Sequence, residues 1–197
     1  LFVRLDTDAG ITGWGEAFCY GCTDAVRAAV QSMLVPIVVG RDARDIAKLS
    51  YELQQTLHLF GRYGITIFAL SGLDIALWDL MGKVCGQPVS RLLGGNYRNR
   101  IKPYGSILFD EPDALERNLE ATVERGFRAI KLGWRPFGRR DRKFDELLVR
   151  TARETVGHGV ELMVDAGGSE QFWPHGLNWA RNTAEMLADY GIVWFEE

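Results

Sequence analysis

Three residues in this sequence stand where an apolar, strand-like run gives way to a charge: Lys131 after FRAI, Asp165 after VELMV and Glu196 after IVWF. An acid that ends an apolar run must be solvated, paired or given a cation, because an unpaired buried charge is expensive. Two acids at the same end of neighbouring parallel strands would repel each other. A hard divalent cation such as Mg²⁺ prefers carboxylate oxygens and removes that repulsion. Helix capping or plain solvation accounts for the same acids. Lys131 could stabilise a substrate carboxylate there or, with its pKa lowered by nearby positive charge, act as a base. A lysine reaching solvent from a strand end is the plainer reading.

Such residues need elements that deliver them to one place. From residue 97 onward, strand-like segments occur at IKPYGSI, FRAIKLG, VELMVDAG and GIVWFEE. Their spacing of roughly 30 residues is the size of a βα repeat. Helical patterns run between them over Asp113–Arg125, Asp141–Val156 and Asn178–Tyr190. Alternating strands and helices imply parallel strands with right-handed crossovers. Periodicity alone leaves an open doubly wound sheet and half of a closed barrel both possible. The polar residues favour the barrel, since Lys131, Asp165 and Glu196 each end a strand at the side where barrel loops assemble active sites. No glycine-rich phosphate fingerprint follows the first strand, which weighs against dinucleotide binding.

Before residue 97 the pattern differs. LFVRLDT and ITGWGEA read as a hairpin around Asp8-Ala9-Gly10. Three helices are expected after it, over Asp24–Val38 with Thr23 as N-cap, Asp42–Phe60 and Ile65–Val84, the last buried. The expected division is therefore 1–96, a hairpin with three helices, and 97–197, four βα strands. Leu1 begins inside a strand pattern and Glu197 directly follows an apolar strand, so the sequence reads as an internal piece of a longer protein.

Composition narrows the function classes. Hydrophobic residues at 47% and charged residues at 25% are ordinary for a folded globular chain and exclude disorder. A net charge of −3 argues against a nucleic-acid partner. Arg135, Arg139, Arg140, Arg142 and Lys143 read as a solvated loop and helix start. No apolar run is read as reaching the ~20 residues of a bilayer span, so no membrane partner is expected. Three cysteines make no disulfide framework, which points to a cytoplasmic location. Cys19 and Cys22 have CxxC spacing without the further ligands zinc needs. His58 and His158 read as structural, and His175 is the histidine nearest the proposed site.

SGLDIALWDLMGKVCGQPVSRLLGG, residues 71–95, resembles a signature segment of the mandelate racemase and muconate lactonizing enzyme group of the enolase superfamily. The spacing from VDAG to WFEE resembles the group's second signature, and GITGWGE its amino-terminal domain. The resemblance implies an α+β capping domain, here 1–96, before a modified TIM barrel, (β/α)₇β, of which 97–197 is the first half. It implies Mg²⁺ held by Asp165 and Glu196, with Glu197 a poorer candidate and a third ligand beyond it. It places Lys131 first in a catalytic Lys-x-Lys pair.

Two positions depart from the group's pattern: Gly133 replaces the second lysine, and Gly167 stands where Asn or His is usual. Both argue against a two-base mechanism and for proton removal from one face. Trp78 and Asp79 are expected to anchor the two domains to each other. The implied activity is Mg²⁺-dependent removal of a proton α to a carboxylate through an enediolate. Dehydration of an acid sugar is the favoured outcome. A racemase, an epimerase, a cycloisomerase and a non-catalytic relative are the alternatives. Substrate contacts are expected from Tyr20, Trp134 and Arg135, with Arg139 a further candidate. The partner is a small-molecule carboxylate, and the resemblance implies a homo-oligomer.

Overall fold

The structure is a computed structural model that describes residues 1–167 and 175–196. The chain forms two compact units, Leu1–Asn99 and Arg100–Glu197.

In the first unit, β1 (Phe2–Asp6) and β2 (Thr12–Glu16) pair antiparallel, with Val3 opposite Gly15 and Leu5 opposite Gly13. The chain then enters α1 (Thr23–Ala29), widens into a π-helical stretch at Val30–Leu34 and closes in α2 (Val35–Val38). One continuous α-helix was the expectation. Pro36, which has no N–H to donate, sits in the first turn of α2, and the turns before it open accordingly. Thr23 is the first helical residue and Cys22 takes the cap position, so Thr23 is not the N-cap.

The second helix is also shorter than its sequence pattern. α3 covers Ile46–Thr56, because Asp42 closes a local turn by accepting from the Arg44 N–H at 3.0 Å and from its guanidinium. A 3₁₀ turn, His58–Phe60, follows it. The long helix α4 (Ile65–Cys85) precedes a short α5 (Val89–Leu92).

Helix α4 corrects the expectation that no segment reaches bilayer-spanning length. It is 21 residues long, and an 18-residue stretch of it has a mean hydropathy of 1.5, enough by length and composition alone. The sequence reading was misled by Asp74, Asp79 and Lys83, which punctuate the run. Half of the segment is buried within the protein, as a core helix that is apolar around most of its circumference requires. Small residues let it lie directly on the hairpin: a Cβ added at Gly15 would stand 2.0 Å from the Gly72 carbonyl oxygen. Asp79 accepts from the Trp14 N–H at 2.8 Å and pairs with Lys83. Both of these partners lie in its own unit.

The second unit alternates strand and helix: β3 (Gly105–Leu108), α6 (Pro112–Glu124), β4 (Ala129–Gly133), α7 (Arg142–Val156), β5 (Glu161–Asp165), α8 (Leu177–Asp189) and β6 (Ile192–Glu196). The strands are all parallel and lie in chain order, β3-β4-β5-β6. Every crossover advances in the same direction, and right-handed crossovers of that kind put all the helices on one face. That face is the core. Ile130, Leu132, Leu162 and Val164 point into it and meet leucines of α6, α7 and α8. Each fully buried side chain of this size contributes about 1.5–3 kcal/mol. By the period of two, Lys131, Gly133, Met163 and Asp165 face the other way.

β6 breaks that period. Leu162 is opposite Ile192, but Val164 is opposite Phe195 and Asp165 opposite Glu196, so β6 carries one extra residue there. Ile192 and Phe195 both pack against the core, and the bulge is what turns Glu196 to the side of Asp165.

Candidate active site

The three strand-end charges meet. The Lys131 ammonium donates to Asp165 Oδ2 at 2.9 Å and to Glu196 Oε2 at 3.0 Å. Asp165 is the buried member, its side chain 3% exposed, while Lys131 is 11% and Glu196 47% exposed. The second Asp165 oxygen accepts from the Gly167 N–H at 3.0 Å, so both of its oxygens are held. Hydrogen bonding to Asp165, and then to Glu196, raises the Lys131 pKa well above the usual lysine range, against burial, which lowers it. Flanked by acids, this lysine is held in its protonated form. The Tyr104 and Trp134 rings each lie 5.9 Å from its nitrogen, within cation–π range.

Trp134 reaches this position through backbone strain. Trp134 and Arg135 have φ of 53° and 58°, the left-handed region, which costs an ordinary residue about 1–2 kcal/mol. Consecutive strained residues are a mark of functional sites. The turn presses the indole against Gly167, where an added Cβ would lie 2.4 Å from a ring carbon, and Gly167 itself has φ 66°. The side chain that the group's pattern puts at position 167 therefore has no room here. Gly133 is also tight: a Cβ there would meet the Asp165 Cβ and carbonyl oxygen at 3.2 Å. The two departures from the pattern thus surround the same pair, Trp134 and Asp165.

The basic stretch is less free than its sequence implies. Arg135 pairs with Asp110 at 3.2 Å, Arg139 donates to the Gly167 carbonyl at 3.3 Å, and Arg140 pairs with Glu111. Arg135 stays half exposed and borders a cavity of about 390 Å³ beside β3, which Lys131, Asp165 and Glu196 do not line. Tyr20 lies in the first unit, 88% exposed and stacked against Phe18. Glu197 lies outside the described residues. Among the described residues, no group of three or more His, Cys, Asp or Glu side chains is assembled. Cys19 and Cys22 are free thiols.

Sequence reasoning overlooked Asp145. It is buried in α7 on the same stripe as Leu148, Val149 and Ala152, and an acid at helical spacing within an apolar face was the available signal. Asp110 and Glu111, which tie down two arginines, carry no comparable signal.

Comparison with known proteins bears on the family and the fold. Residues 1–94 match the family model of the mandelate racemase/muconate lactonizing enzyme N-terminal domain, and residues 114–197 match the enolase C-terminal domain-like model. An arabinonate dehydratase of Saccharolobus solfataricus is 34% identical over 98% of this chain and 51% of its own length. A D-galactarolactone cycloisomerase of Agrobacterium fabrum is 35% identical over 100% of this chain and 50% of its own. A mandelate racemase/muconate lactonizing protein of Paracoccus denitrificans, solved in complex with magnesium, superposes with a TM-score of 0.89 at 32% identity, over 98% of this chain and 52% of that one. The chain spans about half the length of the curated relatives it matches. With a parallel sheet in chain order, charges converging at its strand ends and both family models matched in sequence, the chain belongs to the mandelate racemase-like group of the enolase superfamily.

Proposed function

We propose that the protein containing this chain is a Mg²⁺-dependent acid-sugar dehydratase, in which Asp165 and Glu196 are two of the metal ligands. The observation that carries this reading is the convergence of both carboxylates on one cation position, now filled by the Lys131 ammonium. The donor set suits a hard ion: carboxylate oxygens from adjacent strand ends, one acid buried and held in place by the Gly167 N–H. Bound Mg²⁺ would stabilise the negative charge that develops on a substrate carboxylate.

The chain's own residues supply the rest. Removing the proton α to a carboxylate builds an enediolate dianion. Lys131 holds positive charge where that dianion forms. Trp134 packs on the sugar face and excludes water, and Arg135 pairs with a distal carboxylate or hydroxyl. Gly133 offers no base on this strand, so the proton acceptor is assigned to the part of the relatives' length that this chain does not span. The β-hydroxyl then takes up a proton from an acid assigned, like the base, to the part of the relatives' length that this chain does not span. It departs as water, leaving an enol that tautomerises to a 2-keto-3-deoxy acid. The Agrobacterium fabrum relative favours cycloisomerisation as the second reading.

The test is incubation of the full-length protein with aldonic acids, aldaric acids and their lactones in D₂O, with and without Mg²⁺. A 2-keto-3-deoxy product formed only with Mg²⁺ is expected. Lactone isomerisation without water loss would select the second reading. No turnover and no solvent exchange with any acid would leave a non-catalytic relative.

A further inference from the structure

One glycine in the loop between β4 and α7 is held from both sides. The Gly138 N–H donates to Asp145 Oδ1 at 2.8 Å, and the Gly138 carbonyl lies 2.7 Å from His175 Nε2. A carbonyl oxygen can only accept, so Nε2 carries the hydrogen. The two gripping residues come from different elements: Asp145 from the first turn of α7, and His175 from just before α8. Each is itself fixed. Asp145 is 3% exposed, and the His175 ring stacks on Trp179 with centroids 4.6 Å apart and planes 9° apart. Gly138 has φ 70°, so the loop reverses at the gripped residue. Phe137, next to it, is fully buried against Phe109 and Trp179.

From this geometry we infer that Asp145 and His175 are positioning residues. They clamp Gly138 and thereby hold the loop that presents Trp134 beside the Lys131–Asp165–Glu196 cluster and Arg135 beside Asp110. The clamp explains how two consecutive left-handed residues persist. Strain at Trp134 and Arg135 survives only if the loop cannot relax, and the clamp lies three residues further along the same loop. A backbone N–H and a carbonyl bonded by buried or stacked side chains fix position better than exposed contacts do. The inference depends on the proposed function only for what the loop then binds.

The Asp145 carboxyl gives the clamp a separate readout. Burial pushes it up to about 6, the Gly138 N–H and His175 pull it down, and Asp141 pushes it up. Its pKa lies above the unfolded value of 3.8, so folding takes up a proton between about pH 4 and 6. The stability contributed by this group is full below that window and is lost as pH rises through it.

The deciding experiment is hydrogen–deuterium exchange of the 134–141 backbone in the full-length protein and in Asp145→Ala, Asp145→Asn and His175→Phe. Phe keeps the stack on Trp179 and loses the donor, and Asn keeps the acceptor and loses the charge. Exchange across 134–141 should quicken by at least about tenfold in Asp145→Ala and His175→Phe, corresponding to about 1.4 kcal/mol of opening free energy, with β4 and β5 unchanged. Asp145→Asn should keep the protection and lessen the pH 4–6 slope of urea stability, to which Asp74, also raised by burial, contributes. Unchanged loop exchange in His175→Phe overturns the clamp, and His175→Phe decides the matter should Asp145→Ala fail to fold. KM for acid sugars is measured on the same variants. A loosened loop with unchanged KM supports the clamp and instead removes Trp134 and Arg135 from the substrate site.

Discussion

Both units use glycine to let groups approach more closely than a side chain would permit, but for different ends. In the first, Gly15 brings β2 onto the backbone of α4, where an added Cβ would lie 2.0 Å from a carbonyl oxygen. What meets there is main chain against main chain, and it cannot give way. In the second, Gly167 admits the Trp134 indole and Gly133 admits Asp165. What meets there is side chains with charge and aromatic surface, in a loop strained at two consecutive residues. The first arrangement serves packing. The second spends conformational freedom on placing groups that could meet a ligand.

That contrast can be broken most severely at Gly15. Gly15→Val should destabilise the first unit by more than about 4 kcal/mol, because neither strand nor helix backbone can move aside. Thermal melting and soluble yield measure it, and a variant as stable as the parent would mean that α4 is not seated as described. Lys131→Met comes next. It leaves two neighbouring carboxylates without their cation, Asp165 only 3% exposed, for a loss of about 3 kcal/mol. Added Mg²⁺ should restore much of that loss in urea titrations, and an equal deficit with and without Mg²⁺ would speak against a metal at these acids.

Gly167→Ala should be the mildest, at about 2 kcal/mol, since the indole can swing away although φ 66° adds strain. Its effect belongs in substrate KM more than in melting temperature. If it melts as early as Gly15→Val, the distinction between the two units fails.

The ends of the strands were legible in the sequence to different degrees. Lys131 and Asp165 could be placed on one face because β4 and β5 keep the period of two. Glu196 could not, since counting by twos from Ile192 puts it on the core face and only the bulge reverses that. The family pattern marked Gly133 and Gly167 as departures without giving their cause. At Gly167 the cause is the left-handed turn at Trp134, a backbone conformation that no tryptophan signals in sequence, and at Gly133 it is the close approach of Asp165. Helix α4 was recognised as buried, yet its length as an apolar segment was underestimated because charges at its exposed positions interrupt the run. Asp145 was missed because an acid within a helix is ordinarily taken for a surface residue.

The extra residue in β6 makes the parity of that strand a functional quantity. Ironing out the bulge at the present chain length would put Phe195 opposite Asp165 and carry Glu196 into the apolar layer, whereas removing one residue between Ile192 and Phe195 would give regular alternation and leave Glu196 opposite Asp165. Loss of one residue between those two positions is therefore expected to keep the carboxylate in place, whereas loss of two would turn it to the core face. An alignment of relatives that opens a one-residue gap there would mark a regular strand that presents the same carboxylate.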